Sequence, residues 1–338
     1  MLAADPLKLA LKRGALVAAA NWPVTIAQAM ADALFKIVVA APVTGGVFLV
    51  ALVVGAEPDV LLSLAWADLA STLAGALLSR PFVLAAFLSS LVVAVSGGSL
   101  FVFLVKGGTV GVLVRGEREA GPIEHAPVHL HHLTRASRFS MDAFLEPARS
   151  LFTRYTRLGV ILMAVYLVSG AGYLAALAGM RLTQAGIAAG LLLTVGFVFW
   201  ITIVNLLYLL MQLVIAADDC SVAAAATRVS LFLKRERGSI AAVFLVVLAI
   251  VIAATGASVL ATAALGLIGF VPFLWLVVIP LQLVAWLLRA LVFQFIGTAS
   301  IGAYLNLYRT SATLAASGPV DQPAVSTYAA ADLHRGRI

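Results

Sequence analysis

Charge is what this chain has least of. Only 11% of its 338 residues are Asp, Glu, Lys or Arg, where a water-soluble domain carries about 25%. A soluble globular protein is excluded on that ground. Residues 240–288 pass 49 positions without one charged side chain, and 37–56, 81–105, 158–180 and 182–217 are likewise uncharged. A helix rising 1.5 Å per residue needs roughly 20 apolar residues to cross about 30 Å of lipid core. These runs are therefore long enough to span a membrane, and the longest has room for two crossings. They lack the ten-residue alternation of a transmembrane β-barrel. Mean hydropathy is +1.09 and 27 glycines are present, which suits closely packed membrane helices.

Cysteine is nearly absent too. Cys220 alone excludes an intramolecular disulfide. Histidine is missing from every apolar run, and so is the His-Glu-x-x-His of zinc proteases. The apolar runs also hold no aspartate, which a membrane aspartyl protease would need in pairs. These absences argue against catalysis within the bilayer, and no cofactor is expected.

What charge there is falls unevenly. Spans at about 37–56, 81–105, 158–180, 186–212, 240–264 and 270–289 divide the remainder into two sets. One holds the N-terminal segment with Lys8, Lys12, Arg13 and Lys36, the loops 106–157 and 213–239, and the tail with Arg309, Arg335 and Arg337. The other holds only Arg80 and Arg181. Lys and Arg concentrate on the cytoplasmic side. The expectation is six spans with both termini inside: an all-α polytopic bundle, one integral domain over 1–309 and a disordered tail over 310–338. The abundance of Ala, and of Arg over Lys, suggests a GC-rich bacterial genome, hence a bacterial inner membrane.

Arg289 is left over. Twenty residues from Phe270 to Arg289 would put its guanidinium at the cytoplasmic headgroups beside Trp286, where snorkelling costs little. Ala290–Tyr308 must then pack on the cytoplasmic side or lie along the interface. A seventh crossing by that stretch is the alternative.

Asp5-Pro6 opens a helix whose Leu7, Leu11 and Gly14 share one side, with Lys8, Lys12 and Arg13 turned away. It reads as an interfacial amphipathic helix, broken at Asn21-Trp22-Pro23. Residues 57–80 read as a helix on the outer interface. In the 106–157 loop, Phe144, Leu145, Ala148, Leu151, Phe152 and Tyr155 repeat at helical spacing, against Arg149, Arg154 and Arg157. Ser221–Arg237 repeats the pattern, with Val222, Ala226, Val229 and Phe232 against Arg228, Lys234, Arg235 and Arg237. Asp218-Asp219 would cap that helix. Both segments are expected on the cytoplasmic leaflet, running directly into the next span. Their arginines and lysines are the candidate contacts for anionic headgroups or a protein partner, a second copy included. No nucleic acid is expected.

The arrangement Ala223-x4-Arg228-x-Ser230-Leu231-x-Leu233-Lys234, two spans, then Tyr304-x3-Tyr308-Arg309 resembles a broad bacterial group. That group includes the YciC-like membrane proteins and the membrane-anchor domain of some glycerophosphoryl diester phosphodiesterases. The likeness covers about residues 96–310. It implies architecture; the soluble phosphodiesterase domain is not in this chain, so that activity is not carried over.

Three constellations invite chemistry. His125, His129, His131 and His132 beside Glu124 have ligand types that suit zinc, nickel or copper. Pro122 and Pro127 disfavour one helical face, and a solvated loop with incidental histidines is the plainer reading. Gly97-Gly98 and Gly107-Gly108-x2-Gly111 lack the order of a phosphate loop and read as close packing or a kink. Asn205 and Gln212 share a face of span four, and Gln282 and Arg289 a face of span six. A polar pathway between these spans would suit a transporter, while interhelical hydrogen bonding is the plainer reading. Pro272 and Pro280 could break span six as transporter helices are broken. The reading preferred is a non-enzymatic scaffold, accessory subunit or membrane-organising protein; the alternative is a small-solute transporter.

Overall fold

The computed structural model describes residues 6–54, 68, 71, 75, 78–124, 130–137, 139–180, 184–269 and 275–316. Every regular element among them is an α-helix: α1 (Pro6–Ala20), α2 (Trp22–Val54), α3 (Pro81–Glu119), α4 (Leu130–Ala136), α5 (Met141–Ala178), α6 (Gln184–Asp218), α7 (Val222–Gly269) and α8 (Trp275–Ala316). Six are long and apolar enough to cross a membrane. The protein is an all-α polytopic bundle.

These helices are longer than a bilayer requires. At 39 residues, α3 measures about 58 Å at 1.5 Å per residue, nearly twice the lipid core. The surplus gathers at one end. Most buried side chains come from α1, the first turns of α2, the later turns of α3, α6 and α8, and the early turns of α5 and α7; Val17, Leu113, Tyr155, Leu213, Phe232 and Tyr304 belong to one cluster, and Val24, Ala31 and Phe144 to a second. Between Val160 and Ile203, by contrast, no described residue is buried. The outer lengths of the helices thus turn their apolar side chains to lipid, where exposure carries no hydrophobic cost.

Small residues allow the close approaches. A Cβ added at Gly107 would lie 3.4 Å from the Ala148 backbone, and one at Gly108 would lie 2.7 Å from the Phe144 ring. The glycine cluster is accordingly a packing surface of α3 against α5, and α3 runs unbroken through it. At Gly14 a Cβ would meet the Ala299 carbonyl and lie 2.5 Å from the Ala303 amide nitrogen, so α1 presses its backbone against α8.

Several expectations need correction here. Helix α1 is not a free interfacial helix: Ala10, Val17 and Ala18 are buried, and its arginine points into the packed end. The break does fall at Asn21, whose buried Nδ2 donates to the Val17 and Ala136 carbonyls at 3.0 and 2.8 Å. The helix of the first span starts at Trp22, well before residue 37, and so contains Asp32 and Lys36. The segments 141–157 and 221–237 are not helices separate from the spans that follow them. Residues 141–157 open the continuous α5; Ser140 caps this helix, accepting from the Ala143 amide at 3.0 Å. Residues 222–237 open α7, which bends at Glu236 before entering the span. Ala226 is exposed and Ala225 takes its place on the buried face.

Asp218 and Asp219 do not cap α7. Ser221 does, its Oγ accepting from the Ala224 amide at 3.3 Å, because both aspartates are drawn into ion pairs elsewhere. Ala290–Tyr308 neither crosses separately nor lies apart. It continues α8 past Pro280, which leaves the helix unbroken, and packs at the same end as α1. Residues 310–316 are helical rather than part of a disordered tail. The outer helix expected at 57–80 falls mostly outside the described residues, as do His125, His129, Pro272 and the rest of the tail.

Candidate functional site

Two ion-pair networks tie the packed end together. Glu117, near the end of α3, receives the guanidinium of Arg13 from α1 at 3.2 Å and that of Arg309 from α8. Its side chain is only 5% exposed. Arg13 also pairs with Glu124 at 2.7 Å and donates to the Gly121 carbonyl at 2.6 Å, while the Lys12 ammonium donates to the Glu124 carbonyl at 2.8 Å. One carboxylate thereby holds α1 and the later turns of α8 against α3.

The second network lies where α6 turns into α7. Asp218 pairs with Arg228 at 2.5 Å and accepts from the Tyr308 hydroxyl at 2.5 Å. Asp219, with φ of 47°, pairs with Arg154 of α5. Arg118 donates to the Ala217 carbonyl at 2.6 Å, placing a cation at the negative end of α6. Cys220 sits inside this turn. Burial raises its thiol above the ordinary range, with Arg228 opposing. An activated nucleophilic cysteine has the opposite shift.

These networks sort the expected contact residues into two groups. Arg154 and Arg228 are committed to Asp219 and Asp218. Arg149, Arg157, Lys234, Arg235 and Arg237 are exposed and have no ion pair among the described residues. They lie along roughly the first five turns of α5 and α7 and make a basic rim to the stretch of these helices that builds the packed end.

The intramembrane polar residues are not gathered on one face. Asn205 accepts from the Tyr166 hydroxyl of α5 at 2.5 Å. Gln212 is 1% exposed. Its backbone carbonyl accepts from the Tyr155 hydroxyl at 2.9 Å, and its side-chain Nε2 has no hydrogen-bond partner among the described residues. Gln282 and Arg289 are exposed and line a groove of about 780 Å³ between α7 and α8. Arg289 lies over the Phe293 ring at 5.7 Å. A more polar groove of about 550 Å³ adjoins it between α2, α7 and α8, carrying Asp32, Lys36, Thr255 and Gln294; Trp286 and Arg289 line both. Asp32 and Lys36 pair at 2.7 Å.

Asp32 and Lys36 were missed as span residues because the uncharged run begins only at Ile37. Their four-residue spacing on a helix was the available signal.

Of the histidines, His131 and His132 lie on α4 with ring centroids 5.8 Å apart. Glu124 is held by Arg13. Among the described residues no group of three His, Cys, Asp or Glu side chains comes together. No family model matches the chain, and no curated protein and no solved structure matches it.

Proposed function

We propose that this is a non-enzymatic, multi-span protein of a bacterial inner membrane. It acts as a scaffold or membrane-organising factor through the basic end of its bundle. The observation that carries this reading is the division among its cations. Arg13 and Arg309, within the packed end, are matched to a carboxylate, whereas five on the rim of α5 and α7 are exposed and have no ion pair among the described residues. A rim of that kind, rooted on a rigid end and set beside the bilayer, is suited to anionic headgroups or to an acidic face of another membrane protein. Each such residue contributes about 1 kcal/mol of attraction to an anionic leaflet. The resemblance of its layout to the YciC-like group would suit an architectural role.

Transport between spans four and six has less support, since Asn205 and Gln212 face α5 and the packed end while Gln282 and Arg289 face α7.

The test is a charge reversal, Arg149→Glu, Arg157→Glu and Arg235→Glu together, in protein gently solubilised from native membranes. The expected result is a loss of co-purifying anionic phospholipid or of a partner, growing with ionic strength. An unchanged lipid and protein complement would count against the proposal.

A further inference from the structure

We propose that the two adjoining grooves between α2, α7 and α8 form a site for one anionic phospholipid of the leaflet on the basic side, with its phosphate at Arg289 and Lys36 and an acyl chain lying along α7. This site is distinct from the rim on α5 and α7 and does not depend on it.

The first argument is charge. Arg289 sits in the outer, lipid-facing stretch of α8 with an aromatic face as its described neighbour. A guanidinium on a lipid-facing helix surface is stabilised by a paired anion. The nearby carboxylate, Asp32, is already taken by Lys36. The polar groove therefore holds two cations and one carboxylate, a net charge of +1 from Asp32, Lys36 and Arg289. Arg289 presents a fork of N–H donors that suits a phosphodiester, and Thr255 and Gln294 add hydrogen-bonding groups beside it.

The second argument is shape. Ala254, Ala257, Ser258 and Ala261 recur at three and four along α7 and make a shallow trough. Small residues at such spacing ordinarily let two helices close on each other. Here α8 does not close, and about 780 Å³ stays open between the two helices. Most of the side chains that line it from α8, Ile279, Leu283, Leu288 and Val292 among them, are apolar, and Gln282 is polar.

The third argument is direction. The polar groove lies toward the packed end, and the apolar one extends away from it toward Leu265 and Ile279. Trp286 lines both, at the junction where tryptophan prefers to sit in a membrane. Head, junction and tail thus follow the order of a phospholipid in the leaflet on the basic side.

The test uses the full chain in nanodiscs of equal phosphatidylglycerol and phosphatidylcholine, with native mass spectrometry of the released protein and a phosphatidylglycerol carrying a photoreactive acyl chain. One phosphatidylglycerol should be retained, with crosslinks to residues 254–265 and 279–293. Arg289→Ala should lower retention at least tenfold and Arg289→Lys much less. Ala257→Trp, which fills the trough without touching the cation, should abolish the crosslinks. Because Arg289 is exposed, its replacement should leave the helical circular dichroism intact. The triple rim reversal should leave this lipid in place, so failure of the rim proposal and failure of this one are separable. Equal retention of the two lipids, undiminished retention in Arg289→Ala, or a dimer that shields the groove would each overturn the site.

Discussion

Helix α5 passes from one solvent to another within a single element. From Phe144 to Gly159 it buries Ala148, Leu151, Tyr155 and Leu158 against its neighbours; from Val160 to Ala178 it buries nothing. Helix α7 makes the same change, with Ala225, Val229, Phe232, Ile240 and Val243 buried and no described residue buried beyond them. At the packed end, apolar side chains turn inward and charges are paired. In lipid, tails are as apolar as leucine, and only van der Waals fit and polar contacts distinguish a helical neighbour from a lipid. The stability that identifies this fold should therefore reside at the packed end.

Glu117 offers the strongest way to break that comparison. Glu117→Ala removes the carboxylate shared by Arg13 and Arg309 and leaves Arg309 without its ion-pair partner. Breaking a buried pair from one side costs about 3–5 kcal/mol. Leu192→Ala, on the lipid-facing length of α6, removes a larger apolar side chain that is 74% exposed. It should shift stability by no more than about 0.5 kcal/mol, like other exposed positions. Unfolding in mixed micelles by dodecyl sulfate measures both. Similar losses for the two variants would contradict the division.

A smaller effect is expected where α1 crosses α8. Gly14→Val places two methyl groups against the backbone of Ala299 and Ala303, which cannot turn aside as a flexible side chain would. Overpacking of this kind costs about 1–3 kcal/mol. The readout is faster proteolysis between Lys8 and Arg13 together with a lower unfolding midpoint. If α1 were merely resting on a leaflet, the substitution would change neither.

How much of this was legible depended on distance along the chain. The six spans follow from uncharged length, and the buried face of α5 follows from three-and-four spacing, because both are local properties. The glycines at 107, 108 and 111 were legible as packing glycines for the same reason. Arg13, Glu117 and Arg309 were not, since partners 104 and 192 residues apart share no local pattern. Lys8, Lys12 and Arg13 looked like one solvated face, and only the fold turns Arg13 inward. Asp218 and Asp219 had a local explanation, helix capping, that lost to long-range pairing with Arg228, Tyr308 and Arg154. For the grooves, Gln282 and Arg289 were visible on one face of α8, but Asp32 and Lys36 come to them only through the packing of α2.

The finest distinction concerns polar contacts inside the lipid-facing half. Tyr166 of α5 donates to Asn205 of α6 at 2.5 Å, and Trp200 donates to Ser169 at 3.0 Å. If lipid made such bonds irreplaceable, Asn205→Leu would be among the most damaging changes in the protein. The unfolded chain in a membrane also finds partners for its polar groups, and the average interhelical bond contributes only about 0.6 kcal/mol. Asn205→Leu should therefore lower stability by about that amount, well below the loss for Glu117→Ala. The effect should shrink when Tyr166→Phe is already present, because both substitutions remove the Tyr166–Asn205 bond and only the Asn205 Nδ2 bond to the Ile201 carbonyl is left for the second to break. A double-mutant cycle in micelles reads the coupling directly. A loss several times larger would place α5 and α6, outward of Tyr155, among the regions that hold the fold together.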